Sequence, residues 1–278
     1  MLISLHTITA THYCSRIRVL TRCSLSPTPL TTIRFHTDYH EKLSYLRNLG
    51  LVDSNPRNPN VPSRKCLDQI LVIINYLKSK GFSENDFQKL ASTCPKLFSS
   101  GLEPADIEPV FIFLAKDVSA TSTESRGLIL CCPGILFSNV EFCLRPTFAF
   151  LKDIGLKKLN SPTNLNAHLL NTRIGKLETK LAFLNSIGFT YEESLKACAR
   201  LPAIFGYSIE NNLQPKVEFL IGGMQRSIDE LKEFPQYFAF SLTKRIVPRH
   251  MHLKQRGVHI ALKRMLMPCD EKFYAKWR

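Results

Sequence analysis

The sequence predicts an all-α protein built from stacked helical repeats, an α-solenoid. The first observation is a leucine that recurs at intervals of 31 to 37 residues, usually after an aromatic or apolar residue. The second is a set of glycines and prolines at fixed distances from that leucine. A unit of this length cannot bury its apolar side alone, so neighbouring units must stack on one shared core. We call these leucines the anchors; they are Leu46, Leu77, Leu114, Leu151, Leu184, Leu220 and Leu253.

Glycine and proline define the two ends of the helix that carries each anchor. A Gly four residues after the anchor suits the left-handed residue that ends a helix. A Pro five residues before the anchor suits the first turn of that helix, where its missing N–H is not needed. The glycines are Gly50, Gly81, Gly155, Gly188 and Gly257, with Gly223 one position off, and the prolines are Pro109, Pro146, Pro215 and Pro248.

A second proline lies eighteen or nineteen residues before the anchor. It ends the preceding helix, because the residue before Pro is excluded from the α region. The Pro-x-apolar-Phe segment that it starts is too short for a full helix, and we expect a tight turn or a single 3₁₀ turn. We call this segment the hook. Its prolines are Pro95, Pro133, Pro202 and Pro235, and Pro268 continues the series into a partial C-terminal unit.

Between the anchor helix and the hook, the sequence predicts a second helix in each unit. A hydroxyl residue followed three positions later by an acid is typical of a capping box at a helix start. The helix predicted from Tyr191 to Arg200 is the clearest example. The segment from Asn160 to Ile174 lacks the prolines, and we interpret it as a degenerate repeat. The boxes are Ser83 with Asp86, Thr121 with Glu124, Thr190 with Glu193, and Ser227 with Glu230.

The net charge of +14 is concentrated at the two ends of the chain. Residues 1–37 hold twelve Ser or Thr, four Arg and no acid, which is typical of an organellar transit peptide. A disordered basic tail is the alternative. The high Ser/Thr content favours a plastid over a mitochondrion. Residues 244–278 hold ten Lys or Arg against two acids. We therefore expect a transit peptide over 1–37 and a repeat array over 38–278, with partial units at both ends.

Other functional classes have little support in the sequence. No apolar run is long enough to span a bilayer, and no phosphate-binding glycine loop, HExxH or GxSxG motif occurs. The nine cysteines form no CxxC pair, so we interpret them as buried thiols in a reducing compartment. We expect neither catalysis, nor a cofactor, nor a metal site.

The recurring hook prolines, together with an apolar-Leu helix end closed by Gly, resemble the mitochondrial transcription termination factor (mTERF) family over roughly residues 40–270. The resemblance implies two helices and a 3₁₀ turn per repeat, arranged as a curved superhelix. It further implies that organellar double-stranded DNA, or in some members RNA, is held on the concave basic face. Family members act in transcription termination or initiation, RNA processing and organellar translation. The degenerate unit and the irregular Arg and Lys positions depart from the family pattern.

The sequence therefore predicts a monomeric nucleic-acid-binding protein, with double-stranded DNA and transcription termination as the leading hypothesis. An RNA-processing or ribosome-assembly factor is the alternative, and a protein-binding helical scaffold is an alternative of another class. Organellar RNA polymerase or nucleoid proteins are candidate partners. Lys and Arg would neutralise phosphates and release counterions. The candidate binding residues are Arg145, Arg173, Lys176, Lys180, Lys216, Lys244, Arg245, Arg249, Lys254, Arg256, Lys263 and Arg264.

Overall fold

A computed structural model describes residues 38–52 and 62–278 of the chain. The predicted transit peptide lies outside these ranges. So do residues 55–61 of the Asn- and Pro-rich segment 55–62, for which the sequence predicts a loop. The described residues form helices and turns, with no strand among them. The α-helices are α1 (Tyr39–Asn48), α2 (Arg64–Ser79), α3 (Glu84–Thr93), α4 (Pro104–Lys116), α5 (Ser122–Cys131), α6 (Arg145–Asp153), α7 (Asn164–Leu170), α8 (Ile174–Ser186), α9 (Tyr191–Arg200), α10 (Gln214–Glu218), α11 (Asp229–Glu233), α12 (Val247–Gln255), α13 (Leu262–Leu266) and α14 (Asp270–Lys276).

The predicted repeat is confirmed, and so is the all-α fold class. Four hooks form 3₁₀ turns, and each begins at the proline that the sequence singled out. Their leucine, isoleucine and aromatic side chains are buried, except for Phe137, which is half-buried and packs against the core. Pro268 differs, since α14 starts two residues later and no 3₁₀ turn forms there. The four hooks are Pro95–Phe98, Pro133–Phe137, Pro202–Gly206 and Pro235–Ala239.

Three of the four predicted capping boxes are present, at Ser83, Thr121 and Thr190. The fourth, Ser227 with Glu230, is wrong. The Glu230 carboxylate instead accepts a hydrogen bond of 2.7 Å from Arg226 Nη1. Ser227 Oγ accepts from the N–H of Asp229 instead, at 3.2 Å, and α11 begins at that residue. The Arg226 side chain therefore binds the Glu230 carboxylate that the capping box required.

The anchor helices begin earlier than their prolines. Pro146, Pro215 and Pro248 take the second position of α6, α10 and α12. The first-turn prediction is wrong for Pro109, which lies inside α4 because that helix begins at Pro104. Each of α6, α10 and α12 continues a five-residue π-helical turn that precedes it. The wider turn moves away the carbonyl with which the proline ring would clash. The turns are Val140–Leu144, Ile209–Leu213 and Leu242–Ile246, and they are capped by Asn139, Ser208 and Ser241.

The five glycines in register have φ between +62° and +107°, the left-handed conformation that the sequence predicted. Two units lack a glycine in this position and use a different residue one position later, Ser119 (φ +58°) and Gln225 (φ +54°). In the second of these, Phe219–Gly223 forms an extra π turn, which displaces Gly223 from the pattern.

Anchor leucines and hook side chains form two buried clusters. One extends from Leu43 to Leu170 and the other from Leu151 to Phe273, and the ring of Phe148 packs against both. Cys94, Cys132 and Cys198 are buried as predicted, whereas Cys269 is exposed. None of the helices in the described ranges is long and apolar enough to cross a membrane.

Candidate nucleic-acid interface

A groove of about 690 Å³ lies between α7, α8 and the hook at Pro202–Gly206; we call it groove A. Lys176 and Lys180, both predicted binding residues, line one wall, and Tyr207 and Ser208 line the other. Burial lowers the pKa of Lys180 from its ordinary value, while the nearby Glu210 carboxylate opposes that shift. No Asp or Glu belongs to the lining of this groove.

A second groove of about 420 Å³ lies one repeat further along the chain; we call it groove B. It shares Tyr207 with groove A and is otherwise lined by Asn211, Asn212 and Lys216, by the hook at Pro235–Ala239 and by the residues that follow it. No acid lines this groove either. Because the two grooves have equivalent positions in the repeat and share a residue, they form a row.

Helix N-termini lie at both grooves. The Ser208 hydroxyl, in groove A, accepts from the N–H of Asn211 at 3.0 Å, and the Ser241 hydroxyl, in groove B, accepts from the N–H of Lys244 at 3.1 Å. Unpaired N–H groups and the helix dipole make a helix N-terminus favourable for anions. The row of grooves therefore combines lysines, polar amides and helix N-termini. At the N-terminus in groove A, the Glu210 carboxylate also accepts a hydrogen bond from the Ser208 hydroxyl at 3.0 Å.

The position four residues before the anchor has a different role from the one predicted. In the unit of Leu220 it is Lys216, which is buried at 5% exposure. Its Nζ donates to Asn212 Oδ1 and to the carbonyl of Phe238 in the next hook, both at 2.7 Å. Burial lowers the pKa of Lys216 to about 8. Lys216 therefore joins two neighbouring repeats, with its ammonium group turned into the protein.

Arg249 occupies the same position in the unit of Leu253 and is fully buried. Its Nη1 donates to the carbonyl of Met265 at 2.7 Å, and its Nη2 donates to Pro268 O at 2.8 Å and to Asp270 Oδ1 at 2.6 Å. The guanidinium lies 4.5 Å from the centre of the Phe273 ring. These partners occupy both terminal nitrogens of the guanidinium, so neither is available to a phosphate.

Thr147 is the equivalent residue in the unit of Leu151, and its hydroxyl donates to Thr172 O at 2.8 Å. In each case, the side chain thus donates a hydrogen bond to a main-chain carbonyl of the following repeat; the three residues are Thr147, Lys216 and Arg249. Lys180 shares their register but remains half-exposed in groove A. The sequence predicted Lys180, Lys216 and Arg249 as binding residues at one position of the repeat. It did not distinguish the two buried side chains from the accessible one.

The other predicted residues are dispersed. Exposed Arg145 pairs with Asp117 at 3.3 Å and with Glu141, so acids offset its charge. Arg245 is half-buried, with its guanidinium 5.4 Å from the ring centre of Phe240 beside groove B and 3.9 Å from Asp270. Lys244 is exposed and follows directly on the lining of groove B.

The remaining candidates lie outside the row. Lys254 lines a separate basic pocket, and Lys263 lines a cavity that also contains Glu230 and Glu233. Arg173, Arg256 and Arg264 are exposed, and Arg256 donates to the carbonyl of His252 at 3.2 Å. The predicted set therefore does not form a single stripe.

Sequence reasoning missed Tyr207, Asn211 and Asn212 as groove residues. The available signal was their register, because Asn212 stands eight residues before its anchor, as Lys176 does before Leu184. Within the described residues, no group of three or more His, Cys, Asp or Glu is arranged to hold a metal ion.

Comparison with known proteins gives a consistent family assignment. The mTERF family model matches residues 43–161 and 102–274. The chain is 34% identical over 140 residues to transcription termination factor MTERF2, chloroplastic, of Arabidopsis thaliana, covering 50% of this chain and 21% of that protein.

Two further relatives come from the same plant. The chain is 24% identical over 275 residues to MTERF8, chloroplastic, covering 85% of this chain and 54% of the relative. It is 30% identical over 105 residues to MTERF15, mitochondrial, covering 36% of this chain and 23% of the relative. The chain thus spans about half the length of MTERF8 and a smaller part of the other two. Proteins of the mTERF family are nucleic-acid-binding regulators of organellar gene expression. With its recurring hooks, its anchor helices and this match, the chain belongs to the mTERF family.

Proposed function

We propose that this protein is targeted to an organelle, binds double-stranded DNA there and terminates transcription. Relatives named as chloroplastic transcription termination factors support the role, and they favour the chloroplast over the mitochondrion. The acid-free, hydroxyl-rich segment 1–37 supports import, and residues 38–278 would form the mature repeat array. We favour duplex DNA because a regular duplex presents successive phosphates that a row of grooves could contact.

The observation that carries the proposal is the row formed by grooves A and B. Amides and hydroxyls line both of these consecutive grooves, and no acid is among the described residues that line them. Lys176 in groove A and Lys244 beside groove B are exposed, while Lys180 has the Glu210 carboxylate nearby. Some basic side chains that join repeats elsewhere are instead paired with acids, as in Arg126 with Asp86 at 2.8 Å and Lys232 with Glu193 at 3.2 Å.

The proposed mechanism is phosphate neutralisation along this row. Lys176 and Lys180 would contact phosphates at groove A, and Lys244 and Arg245 would do so at groove B. Tyr207, Asn211 and Asn212 would contribute hydrogen bonds between them. Such contacts fix the position of a duplex but carry no sequence information by themselves. A duplex held across several repeats would obstruct an advancing polymerase.

A salt titration tests the binding step. Affinity of the protein beginning at residue 38 would be measured by fluorescence anisotropy for duplex DNA, single-stranded DNA and structured RNA, between about 50 and 200 mM salt. Tight duplex binding that weakens steeply with salt is expected. An affinity that does not change with salt, or no duplex binding, would refute the proposal.

The same assay separates the alternatives. A clear preference for structured or single-stranded RNA would favour the RNA-processing function. Binding to neither nucleic acid would favour the protein scaffold. For the termination step, transcription of a template carrying a bound site should yield shortened transcripts only when the protein is present.

A further inference from the structure

Arg226 interrupts a regular feature of the repeats. In every unit of the described chain, the anchor carbonyl accepts a hydrogen bond from the N–H of the residue that follows the left-handed position. Six of these residues are apolar. The seventh is Arg226, whose main-chain N–H donates to Leu220 O at 3.0 Å. Its side chain is buried, at 5% exposure. The six apolar residues are Leu51, Phe82, Ala120, Leu156, Phe189 and Val258.

His250 interrupts a second feature. It stands three residues before the anchor Leu253, on the helix face that packs into the core. The other six units have an apolar residue there. The ring of His250 lies edge-on to Phe219, with 5.8 Å between the ring centres. The six equivalent residues are Leu43, Ile74, Phe111, Phe148, Leu181 and Val217.

These two departures meet in one pocket of about 250 Å³ between the units of Leu220 and Leu253. Lys254 and His259 also line this pocket, so four basic side chains share it, and no Asp or Glu belongs to its lining. We call it the His250 pocket. Two polar residues at repeat positions that are otherwise apolar, both in one pocket, indicate a functional role more than a packing role.

The basic side chains of the His250 pocket disfavour the protonated form of His250. Burial lowers the pKa of His250, and the positive charges of Arg226, Lys254 and His259 lower it further, while a hydrogen bond with the Gly223 backbone opposes them. The only acid paired with these groups in the described structure is Glu230, at 2.7 Å from Arg226 Nη1. Among the described residues, no acid pairs with His250, Lys254 or His259.

A purely structural role explains part of this arrangement. Arg226 Nη2 donates to the carbonyl of Ile260 at 2.6 Å, which joins the segment before α11 to the segment between α12 and α13. That role leaves Arg226 Nε and His250 Nε2 buried, with no hydrogen-bond partner in the described chain. It also leaves Lys254 and His259 unexplained. Buried polar atoms without partners are rare and require an explanation.

We propose that the His250 pocket binds a phosphate group, held by Arg226, His250, Lys254 and His259. A tetrahedral oxyanion would offset the repulsion among these groups and accept from the unused nitrogens. A phosphate of a nucleic-acid backbone is the favoured source, and that part of the inference rests on the proposed function. The pocket lies outside grooves A and B and would add a contact point at the C-terminal end of the array.

The test compares four proteins: the wild type, His250→Phe, Lys254→Gln and Lys272→Gln. Phe restores the apolar residue found at Phe111 and Phe148. Lys272→Gln is the matched control, because it removes one exposed charge of the C-terminal segment outside the pocket and outside the predicted binding residues. The thermal midpoint is measured with inorganic phosphate, with sulfate and with chloride at equal ionic strength, and the His250 ring is followed by NMR.

Phosphate and sulfate are expected to raise the thermal midpoint of the wild type and of Lys272→Gln, to raise that of Lys254→Gln less, and to leave that of His250→Phe unchanged. Because an anion favours the imidazolium form, sulfate binding should strengthen as pH falls through the range in which His250 takes up its proton. Equal shifts in all four proteins, or no shift of the His250 ring signals, would overturn the site.

A second arm identifies the source of the phosphate. Duplex affinity should fall severalfold in His250→Phe and in Lys254→Gln relative to Lys272→Gln. Unchanged duplex affinity with phosphate binding intact would overturn the backbone as the source and indicate a free phosphate or nucleotide. If the wild type binds no nucleic acid, the proposed function fails, and the phosphate arm still decides the pocket.

Discussion

Lys216 Nζ lies 2.7 Å from the main-chain carbonyl of Phe238, and the Tyr237 hydroxyl donates back to Lys216 O at 2.9 Å. The two hydrogen bonds run in opposite directions across the boundary between neighbouring repeats. Together with Thr147 and Arg249 in the same register, they indicate that the repeats are joined by polar side chains as well as by the apolar core. Two residues whose charge suggested a nucleic-acid contact therefore hold the array together.

Replacing Arg249 with Leu should destabilise the fold without directly affecting the grooves. The change removes hydrogen bonds to Met265, Pro268 and Asp270 and leaves buried carbonyls unpaired. Hydrogen bonds from charged groups contribute about 1.5–3 kcal/mol each, so a loss of roughly 3 kcal/mol or more is expected. Urea unfolding provides the measurement. A variant of unchanged stability whose duplex affinity falls would contradict the structural assignment.

The buried ammonium of Lys216 should make stability depend on alkaline pH. Its folded-state pKa of about 8 lies below the ordinary lysine value of 10.5, so between these values the unfolded chain binds more protons than the native one. Stability should therefore rise with pH across this range, by at most about 1.4 kcal/mol per pH unit.

The measurement for Lys216 is the difference in unfolding free energy between the wild type and Lys216→Met, determined at several pH values from about 7.5 to 9.5. Subtraction removes the titration of tyrosine and cysteine side chains common to both proteins. A difference that is constant over this range would show that Lys216 keeps an ordinary pKa in the folded state.

Removal of the groove charges should weaken duplex binding and its salt dependence. In the triple variant Lys176→Gln, Lys180→Gln, Lys244→Gln, the slope of log affinity against log salt should fall by roughly 0.9 for each lost phosphate contact. The matched control is Lys89→Gln, Lys116→Gln, Lys196→Gln, which removes three exposed lysines outside both grooves. Equal effects of the two triple variants would argue against the grooves as the interface.

Two glycines offer a test of the helix-ending rule. Gly81 has φ +90°, a conformation that strains any residue with a side chain, so Gly81→Ala should cost about 1 kcal/mol. A Cβ at Gly81 would meet no other atom within 4 Å, so this cost would come from the backbone alone. Gly175, inside α8, also has free space but an ordinary φ. Its replacement by Ala should be neutral or stabilising by up to about 1 kcal/mol. Thermal unfolding distinguishes the two, and similar losses in both would refute the rule.

Local sequence signals predicted the fold well because each depends on neighbouring residues alone. A proline ends a helix wherever it occurs, and a glycine adopts the left-handed conformation without a side-chain penalty. The anchors, the four hooks and the helix Tyr191–Arg200 follow from such signals. The prediction failed at Ser227, where an arginine one residue earlier in the chain competes for Glu230.

The candidate site could be predicted only in part, because basic residues look alike in a sequence. Lys180, Lys216 and Arg249 share one register, yet one lines a groove and two are buried against carbonyls of the next repeat. Which of these occurs depends on how closely the following repeat approaches, and that distance is a property of the packed array.

The sequence by itself determined the helical repeat, its period, its helix ends and its family, because these depend on backbone chemistry repeated at fixed intervals. Only the tertiary structure decided which charges are free. Stacking the repeats brought Lys216 to Phe238, and it brought Arg226 to His250, residues 24 positions apart. Burial and distance across a repeat boundary, and not residue type, separate a charge that holds the fold from one available to a phosphate.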